Sequence, residues 1–339
     1  MRVLIVGLGS VGRRHLANLE KVVPSARTTV WRLRPRAERG DETPARADAV
    51  VGSLEEALAT KPDAALITGP APLHVETGLA LARAGVHLFI EKPLSDTLKG
   101  VDALIELCRV RDLVLMVGYN LRFYRPLQVM RHALVEGSIG RPLSVRAEVG
   151  QFLPDWRPGT DYRRGVSARR DLGGGAVLEL SHELDYVRWL VGEVATVSAK
   201  LARVSDLDID VEDTAEVTLG FENGVIGGVH LDMVQRAPVR TCRVAGTEGT
   251  LEGNFLRHHV RLFSAATSSW RDLHPPAEID RNDMYESELS HFFDCVKSEE
   301  RPYVGGEDGR RIVELALAIK RSSEERRAIT VRKMSVQAR

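Results

Sequence analysis

The stretch MRVLIVGLGSVGRRHL, residues 1–16, decides the first part of the fold. Residues 2–7 form an apolar run that ends in glycine, and a helical pattern follows from Ser10 to about Lys21. Between them, GLGSVG at 7–12 has the GxGxxG spacing, which is weak alone but specific where a strand precedes it and a helix follows. Its three glycines then allow a tight turn, the approach of a pyrophosphate, and close helix–sheet packing. The alternative is a glycine turn that binds nothing.

Strands and helices alternate after this opening for about 120 residues. Apolar runs predict further strands at 28–32, 48–52, 64–68, 86–90 and 113–117. Helices are predicted from Ser53, at 73–84 and at about 97–110. Because the strands are apolar throughout rather than at every second residue, the pattern indicates a parallel sheet covered on both faces.

The rest of the chain has a different pattern. GGGAVLELSHELDYVRWLVG at 173–192 predicts one helix after its glycines, from Gly174 to about Val191. Runs at 194–204, 213–221, 225–234, 240–247 and 258–263 have strand character, and short turns between them favour a large, mostly antiparallel open sheet. Helices are predicted at about 284–297 and 307–324. We therefore expect a doubly wound α/β domain at 1–120 and an α/β domain at 121–330, with the last helix packing back on the first domain.

Composition excludes several classes of protein. Forty-seven basic residues balance 47 acidic ones, so no global charge favours nucleic acid or a membrane surface. The three cysteines are far apart and form no CxxC pair, which predicts a reducing compartment. No apolar run has the length of a membrane span, and a strand beginning at Arg2 leaves no room for a signal peptide. A cytoplasmic protein without a metal site is the expectation.

The residues at the strand ends predict a dinucleotide site. About 20 positions after the glycines, an acidic residue would favour NAD, but this chain has Arg32 and Arg34, which suit the 2′-phosphate of NADP. We expect NADP or NAD, with a slight preference for NADP. Ligands bind beyond the carboxyl ends of parallel strands, where TGPAPLH (68–74), EKP (91–93) and GYN (118–120) follow the later strands. Lys92 is therefore predicted to lie at the rim of the site rather than in solvent.

The chain resembles the glucose–fructose oxidoreductase / inositol dehydrogenase / MocA family. The resemblance rests on GLGSVGRRHL, TGPAPLH, AGVHLFIEKPLS, VGYNLRF and the 173–192 block, in the family's order and spacing. It implies a Rossmann domain that binds NAD(P), a second domain that forms the substrate site, a sugar-type substrate, and a homo-oligomer, as a dimer or tetramer. The family's EKP lysine maps to Lys92 and its histidine to His182. The family's aspartate four residues before that histidine is absent, and Glu179 lies three residues before it instead.

The helical wheel of 174–191 supports a functional face. Val177, Leu180, Leu184, Val187 and Val191 form an apolar stripe, whereas Glu179, His182, Tyr186 and Trp189 lie on the other side. Histidine titrates near neutral pH, so His182 is the candidate general base in hydride transfer from a carbinol carbon to nicotinamide. Lys92 would hydrogen-bond the same oxygen. Asp185 would orient His182 or act as a structural partner.

An arginine-rich segment at 151–175 is a candidate substrate loop for an anionic sugar, although a solvated loop with internal ion pairs explains it equally. The predicted substrate-binding residues are Trp156, Tyr162, Arg163, Arg164, Glu179 and His182. The predicted cofactor-binding residues are Gly7, Gly9, Ser10, Val11, Gly12, Arg32, Arg34, Gly69, Pro70, His74, Glu91, Lys92 and Asn120, and the catalytic ones are Lys92, His182 and Asp185. The sequence leaves two other functions open: a cofactor-binding sensor without turnover, and redox-neutral glycoside cleavage or epimerisation with a recycled cofactor.

Overall fold

The structure is a computed structural model that describes residues 1–33, 46–298 and 300–331. The chain divides into two compact units. The first contains Met1–Asn120 and Arg281–Val313, and the second contains Leu121–Asp280 and the chain from Glu314 onward. The first unit is therefore assembled from two separate stretches of sequence.

Six parallel strands form the sheet of the first unit. They are β1 (Arg2–Val6), β2 (Arg27–Trp31), β3 (Ala49–Val51), β4 (Ala64–Ile67), β5 (His87–Glu91) and β6 (Leu115–Gly118), in the order β3-β2-β1-β4-β5-β6. All four residues of Val3–Val6 and of Ala64–Ile67 are buried. This confirms the predicted parallel, doubly wound sheet. The strand order reverses between β1 and β4, which is where ligands bind in such sheets.

Helices cover this sheet. From the first stretch they are α1 (Ser10–Val22), α2 (Leu54–Ala59), α3 (His74–Arg83) and α4 (Val101–Val110), and α8 (Asp283–Ser298) comes from the second stretch. The helix α8 packs along α1, with Asn282 Nδ2 donating to Asn18 Oδ1 at 2.8 Å and the guanidinium of Arg14 4.4 Å from the Tyr285 ring centre. The ring of Phe292 on α8 meets that of Phe89 on β5 at 5.8 Å. The core of this unit is therefore completed from the end of the chain.

A nine-stranded sheet forms the second unit. Its strands are β7 (Pro142–Gly150), β8 (Val194–Ala202), β9 (Thr214–Phe221), β10 (Ile226–Asp232), β11 (Val239–Gly246), β12 (Gly249–Asn254), β13 (His259–Ser264), β14 (Ser269–His274) and β15 (Ile329–Thr330). The order is β14-β13-β12-β11-β7-β10-β9-β8-β15. Every pair is antiparallel except β7 with β10. The mostly antiparallel sheet is thus confirmed.

The helices of the second unit are α5 (Arg125–Val135), α6 (Ala176–Glu179) and α7 (His182–Val191). The long helix α9 (Gly306–Glu325) begins in the first unit and ends in the second. The predicted single helix from Gly174 to Val191 is wrong, because the chain leaves the helix at Leu180 and Ser181 and starts again at His182.

The predicted division of that helix into an apolar stripe and a polar side is also partly wrong. Tyr186 is fully buried, and its ring meets that of Phe255 at 5.8 Å. Leu180, expected in the apolar stripe, is only half-buried. The two sides are not separated by burial because α7 is buried on several sides. His182 and Trp189 are half-buried.

Among the helices in the described part of the chain, none is both long and apolar enough to cross a lipid bilayer.

Candidate active site

The glycine turn after β1 has the geometry of a nucleotide cradle. Gly7 has a φ of 91°, which favours glycine, and a Cβ there would lie 3.0 Å from the backbone nitrogen of Gly69. A Cβ on Gly12 would lie 2.4 Å from the carbonyl oxygen of Gly7. A Cβ on Gly9, by contrast, would meet no protein atom within 4 Å. Two of the glycines are thus required by packing, whereas the middle one faces open space.

The start of α1 can receive an anion. Gly9 caps this helix with no side-chain hydrogen bond, so side chains leave its first N–H groups available. Those groups and the positive end of the helix dipole favour a phosphate. Ser10 is exposed and Val11 is half-buried beside the turn. The dinucleotide's pyrophosphate fits this cradle.

The end of β2 carries no acidic residue among the described positions. Trp31 is the last residue of β2, Arg32 and Leu33 follow it, and all three are half-buried. A Cβ on Gly69 would lie 2.5 Å from Leu33 Cδ1, so Leu33 packs on the turn that follows β4. The predicted cofactor residue Arg34 lies outside the described residues.

The turns after β4 and β5 are tied together by His74. Its Nε2 lies 2.8 Å from the carbonyl oxygen of Gly69 and its Nδ1 lies 2.9 Å from that of Pro93. Burial lowers the pKa of this ring, although the two carbonyl oxygens favour its charged form. His74 is 1% exposed, so the structure gives it a bracing role beneath the half-buried Gly69 and Pro70.

Lys92 follows directly on β5 and is half-buried, at the carboxyl edge of the parallel sheet. The peptide bond between Lys92 and Pro93 is cis. The backbone nitrogen of Lys92 donates to Glu91 Oε2 at 3.3 Å. Asn120, after β6, is 4% exposed. The structure therefore places Lys92 and Asn120 at the ends of neighbouring strands, as the sequence predicts.

A buried trio of titratable groups lies under this edge. His15 Nε2 and Glu91 Oε1 are 2.7 Å apart. The fully buried Glu288 brings a carboxylate whose two oxygens have no hydrogen-bond partner among the described residues. Ligand atoms of the three lie within 4.8 Å of one another. Two ligands of one metal ion, each about 2.1 Å from it, lie roughly 3.4 Å apart in a tetrahedral site, wider than the His15–Glu91 hydrogen bond. The contact between His15 and Glu91 therefore fits a hydrogen bond better than two ligands of one metal ion, and the expected absence of a metal stays a prediction.

This trio predicts an unusual dependence of stability on pH. Burial, and then the Glu91 carboxylate, raise the pKa of Glu288 well above its ordinary value of 4.5. The folded state therefore holds a proton that the unfolded state releases, and stability falls as pH rises above about 4.5, by up to about 1.4 kcal/mol per pH unit. Glu288→Gln removes this loss. Urea unfolding between pH 5 and 8 should show the variant gaining on the wild type as pH rises.

The exposed Glu76 on α3 provides the control, because Glu76→Gln should leave the slope of stability against pH unchanged. Parallel pH curves for Glu288→Gln and the wild type would contradict the raised pKa of Glu288.

In the second unit, His182 is the first residue of α7. Its Nδ1 is buried, and the residue as a whole is half-buried. Asp185 is 1% exposed, and both of its oxygens accept hydrogen bonds from Arg122, at 2.9 Å from Nε and 2.6 Å from an Nη. The structural role that the sequence left open for Asp185 is therefore present.

The predicted substrate residues are spread over α6 and the 151–175 loop. Glu179 ends α6 and accepts a hydrogen bond from Ser167 Oγ at 2.6 Å. The exposed Arg163 forms a fork with Asp161, at 2.8 and 3.0 Å, and Arg164 is exposed. Internal ion pairing, the alternative interpretation of the loop, is therefore what the structure shows at Arg163.

Two aromatic residues of the same loop are also engaged. Trp156 Nε1 donates to the carbonyl oxygen of Gln151 at 2.9 Å, and Tyr162 Oη accepts from the backbone nitrogen of Asp208 at 3.2 Å. Both rings are half-buried, and each polar tip is fixed by backbone. The ring faces of these residues remain the parts that a sugar could use.

Sequence reasoning missed the buried charges that surround the predicted residues. They are His15, Arg122, Glu183 and Glu288, together with Arg240, which is half-buried and pairs with Glu183. Glu183 is fully buried beside His182 in SHELD, where it reads as an ordinary polar helix residue. A sequence signal existed only for His15, which lies three residues after the GxGxxG on the inner face of α1.

Comparison with known proteins agrees with this architecture. Residues 1–119 match the family model "Oxidoreductase family, NAD-binding Rossmann fold", and residues 127–252 match "GFO/IDH/MocA C-terminal domain". The chain is similar to the myo-inositol 2-dehydrogenase of Thermotoga maritima, with 30% identity over 97% of this chain and 98% of that one. It is also similar to the scyllo-inositol 2-dehydrogenase (NAD(+)) of Bacillus subtilis, with 27% identity over 94% and 92%.

A solved structure of levoglucosan dehydrogenase in complex with NADH superposes with a TM-score of 0.86 at 22% identity, over 98% of this chain and 100% of that one. At this identity the likeness shows the fold alone. The family follows from the two family models and from the relative that matches over its full length. The chain belongs to the GFO/IDH/MocA oxidoreductase family and is an enzyme with an NAD-binding Rossmann domain.

Proposed function

We propose that this protein is a dehydrogenase that interconverts a secondary alcohol and a ketone on a small cyclic polyol or sugar. The observation that carries the proposal is Lys92, half-buried directly after β5 at the same sheet edge as the open turn at Gly9. An ammonium group there suits an alcohol oxygen that becomes partly negative during the reaction. A cofactor sensor without turnover has no need of this group.

The chain's own residues supply the proton chemistry. In the oxidation, the hydroxyl proton passes to Nε2 of His182 as the carbon–oxygen double bond forms. Lys92 donates a hydrogen bond to the same oxygen. The nicotinamide, when bound, accepts the hydride in this direction and returns it in the other. Reduction reverses both transfers, with His182 as the acid.

The loop at 151–175 supports an uncharged substrate. Arg163 is matched by Asp161, Arg169 forms a fork with Asp171 at 2.9 and 2.6 Å, and the backbone of Arg170 donates to Asp210. Arg163 and Arg169 thus carry their own counter-ions, although exposed pairs are weak and can exchange. The relatives named for inositols also act on uncharged rings. A sugar acid or nucleotide sugar is the competing substrate class.

The preference between the cofactors depends on the end of β2. Arg32 stands where an NAD-specific site commonly has an acidic residue, and a guanidinium suits the 2′-phosphate of NADP. We propose that the site accepts NADP as well as NAD, with NADP slightly preferred. Titration of both cofactors against the wild type and Arg32→Glu tests this, because the variant should lose NADP binding more than NAD binding.

The function is tested by a panel of inositols, neutral sugars, sugar acids and nucleotide sugars with each cofactor. Thermal shift measures binding, and absorbance at 340 nm measures turnover. We expect a raised melting temperature with either cofactor and turnover with an uncharged polyol. Binding of cofactor and sugar without any absorbance change over the panel would favour the sensor instead.

A further inference from the structure

The first turn of α7 carries two buried carboxylates beside His182. Glu183 and Asp185 are 0% and 1% exposed. Glu183 accepts from Arg240, at 2.8 Å from Nε and 3.1 Å from an Nη, and Asp185 accepts from Arg122 in the same forked manner, at 2.9 and 2.6 Å. Such forks fix direction as well as distance, because two parallel hydrogen bonds hold a planar guanidinium against a planar carboxylate.

The two arginines belong to different parts of the second unit. Arg240 lies on β11, where it pairs in register with Val149 of β7 near the centre of the large sheet. Arg122 lies in the turn that follows β6. The first turn of α7 is therefore attached both to the sheet and to a separate turn.

The positions of the two carboxylates bracket His182 around the helix axis. At about 100° per residue, Glu183 projects about 100° to one side of His182, and Asp185 projects about 60° to the other. Rotation of α7 about its axis is the motion that would swing the imidazole. Anchors on both sides oppose that rotation.

The chain before α7 does not continue its helix, so no helical segment on the N-terminal side opposes this rotation. The chain leaves α6 at Leu180 and begins α7 only at His182. A helix end of this kind frays readily unless tertiary contacts hold it. Buried ion pairs are roughly neutral for stability when compared with apolar residues of the same size. Two of them in one helical turn therefore point to a requirement for geometry.

We propose that Arg122 and Arg240 are positioning residues, which set the orientation of the His182 imidazole through their forked ion pairs with Asp185 and Glu183. The proposal rests on the proposed role of His182 as general base. A displacement of about 1 Å at a reacting group costs roughly 10²-fold in rate. The expected effect of loosening an anchor is therefore on kcat.

The experiment compares Arg240→Met, Arg240→Lys and the double variant Arg240→Met with Glu183→Leu. The single Arg240→Met should lower the melting temperature, because it leaves a buried carboxylate alone, and should lower kcat about 10- to 100-fold with KM little changed. Arg240→Lys should recover part of kcat. The double variant should recover the melting temperature, since Glu183 no longer leaves an unpaired buried charge, but should keep the low kcat.

Arg188→Met is the matched control, because Arg188 forms the same kind of fork with Glu193, at 2.9 and 2.6 Å, near the other end of α7. It should leave kcat unchanged. Recovery of kcat together with the melting temperature in the double variant would overturn the proposal, because apolar packing would then orient His182 equally well. An unchanged kcat in Arg240→Met would overturn it as well.

A readout without turnover separates this proposal from the proposed function. In protein labelled with ¹³C at histidine Cε1, the His182 signal is assigned from its loss in His182→Gln. Arg240→Met and Arg122→Met should move that signal, whereas Arg188→Met should not. A moved signal in a protein that turns over no polyol retains the positioning role and rejects the dehydrogenase. An unmoved signal rejects the positioning role in either case.

Discussion

His182→Gln is expected to lower kcat for polyol oxidation by about 10²- to 10⁴-fold, the usual contribution of a positioned general base. The amide keeps much of the side chain's size and polarity but cannot accept the hydroxyl proton at working pH. The dissociation constant of the cofactor should change little, because His182 belongs to the second unit and the glycine turn to the first. Steady-state kinetics and a cofactor titration check both statements.

His132 provides the matched control. It is an exposed histidine on α5 of the same unit, and its Nε2 lies 3.0 Å from Glu136 Oε1. His132→Gln should leave kcat unchanged. If His182→Gln retained more than about a tenth of the wild-type kcat, the proton would have another acceptor, and the role proposed for His182 would be lost.

Gly9→Ala is expected to separate folding from cofactor binding. Gly9 has a φ of −73° and a ψ of −169°, which alanine adopts readily, and its added methyl group would meet no protein atom. The methyl group would instead occupy the space that the pyrophosphate approaches. Overlap of this size costs about 1–3 kcal/mol, so the cofactor's Kd should rise roughly 5- to 150-fold. The melting temperature without cofactor should stay within a few degrees.

Calorimetric titration gives the Kd, and Gly305→Ala serves as the control because a Cβ at Gly305 also meets nothing within 4 Å, away from the glycine turn. Equal cofactor affinity in Gly9→Ala and Gly305→Ala would show that the dinucleotide does not approach the chain at Gly9.

The first unit was predictable because its signals are local. Buried parallel strands are apolar at every position, so β1 and β4 appear directly in the sequence, and GxGxxG has one structural context. The contribution of α8 could not be predicted, because its packing on α1 depends on contacts between residues more than 260 positions apart, such as Asn18 with Asn282.

The second unit was less predictable. The central strand β7 is missing from the predicted strands. Its segment VRAEV alternates buried residues with exposed or half-buried ones, which is the period of a strand. The edge strand β14 has no such period, because four of its six residues are exposed and the other two are half-buried. Its position depends on pairing with β13 rather than on its own pattern.

The candidate site was predictable in its chemistry and not in its support. Lys92 and His182 can be recognised in the sequence from their residue types and spacing. Their catalytic roles, the homo-oligomer and the cytoplasmic location stay predictions. The ion-pair partners Arg122 and Arg240 and the buried Glu288 are recognisable only after folding, because a charged residue in a sequence is expected at the surface until its contacts are known.

The split composition of the first unit has a consequence for how such enzymes can exchange parts. A recombination that swapped residues 1–120 for those of a relative would place a foreign strand under this chain's Phe292, and a foreign histidine and glutamate beside its Glu288. A nucleotide-binding half could be inherited intact only if residues 281–313 travelled with it. Two crossovers, rather than one at the apparent boundary, are the smallest genetic event that moves a whole module.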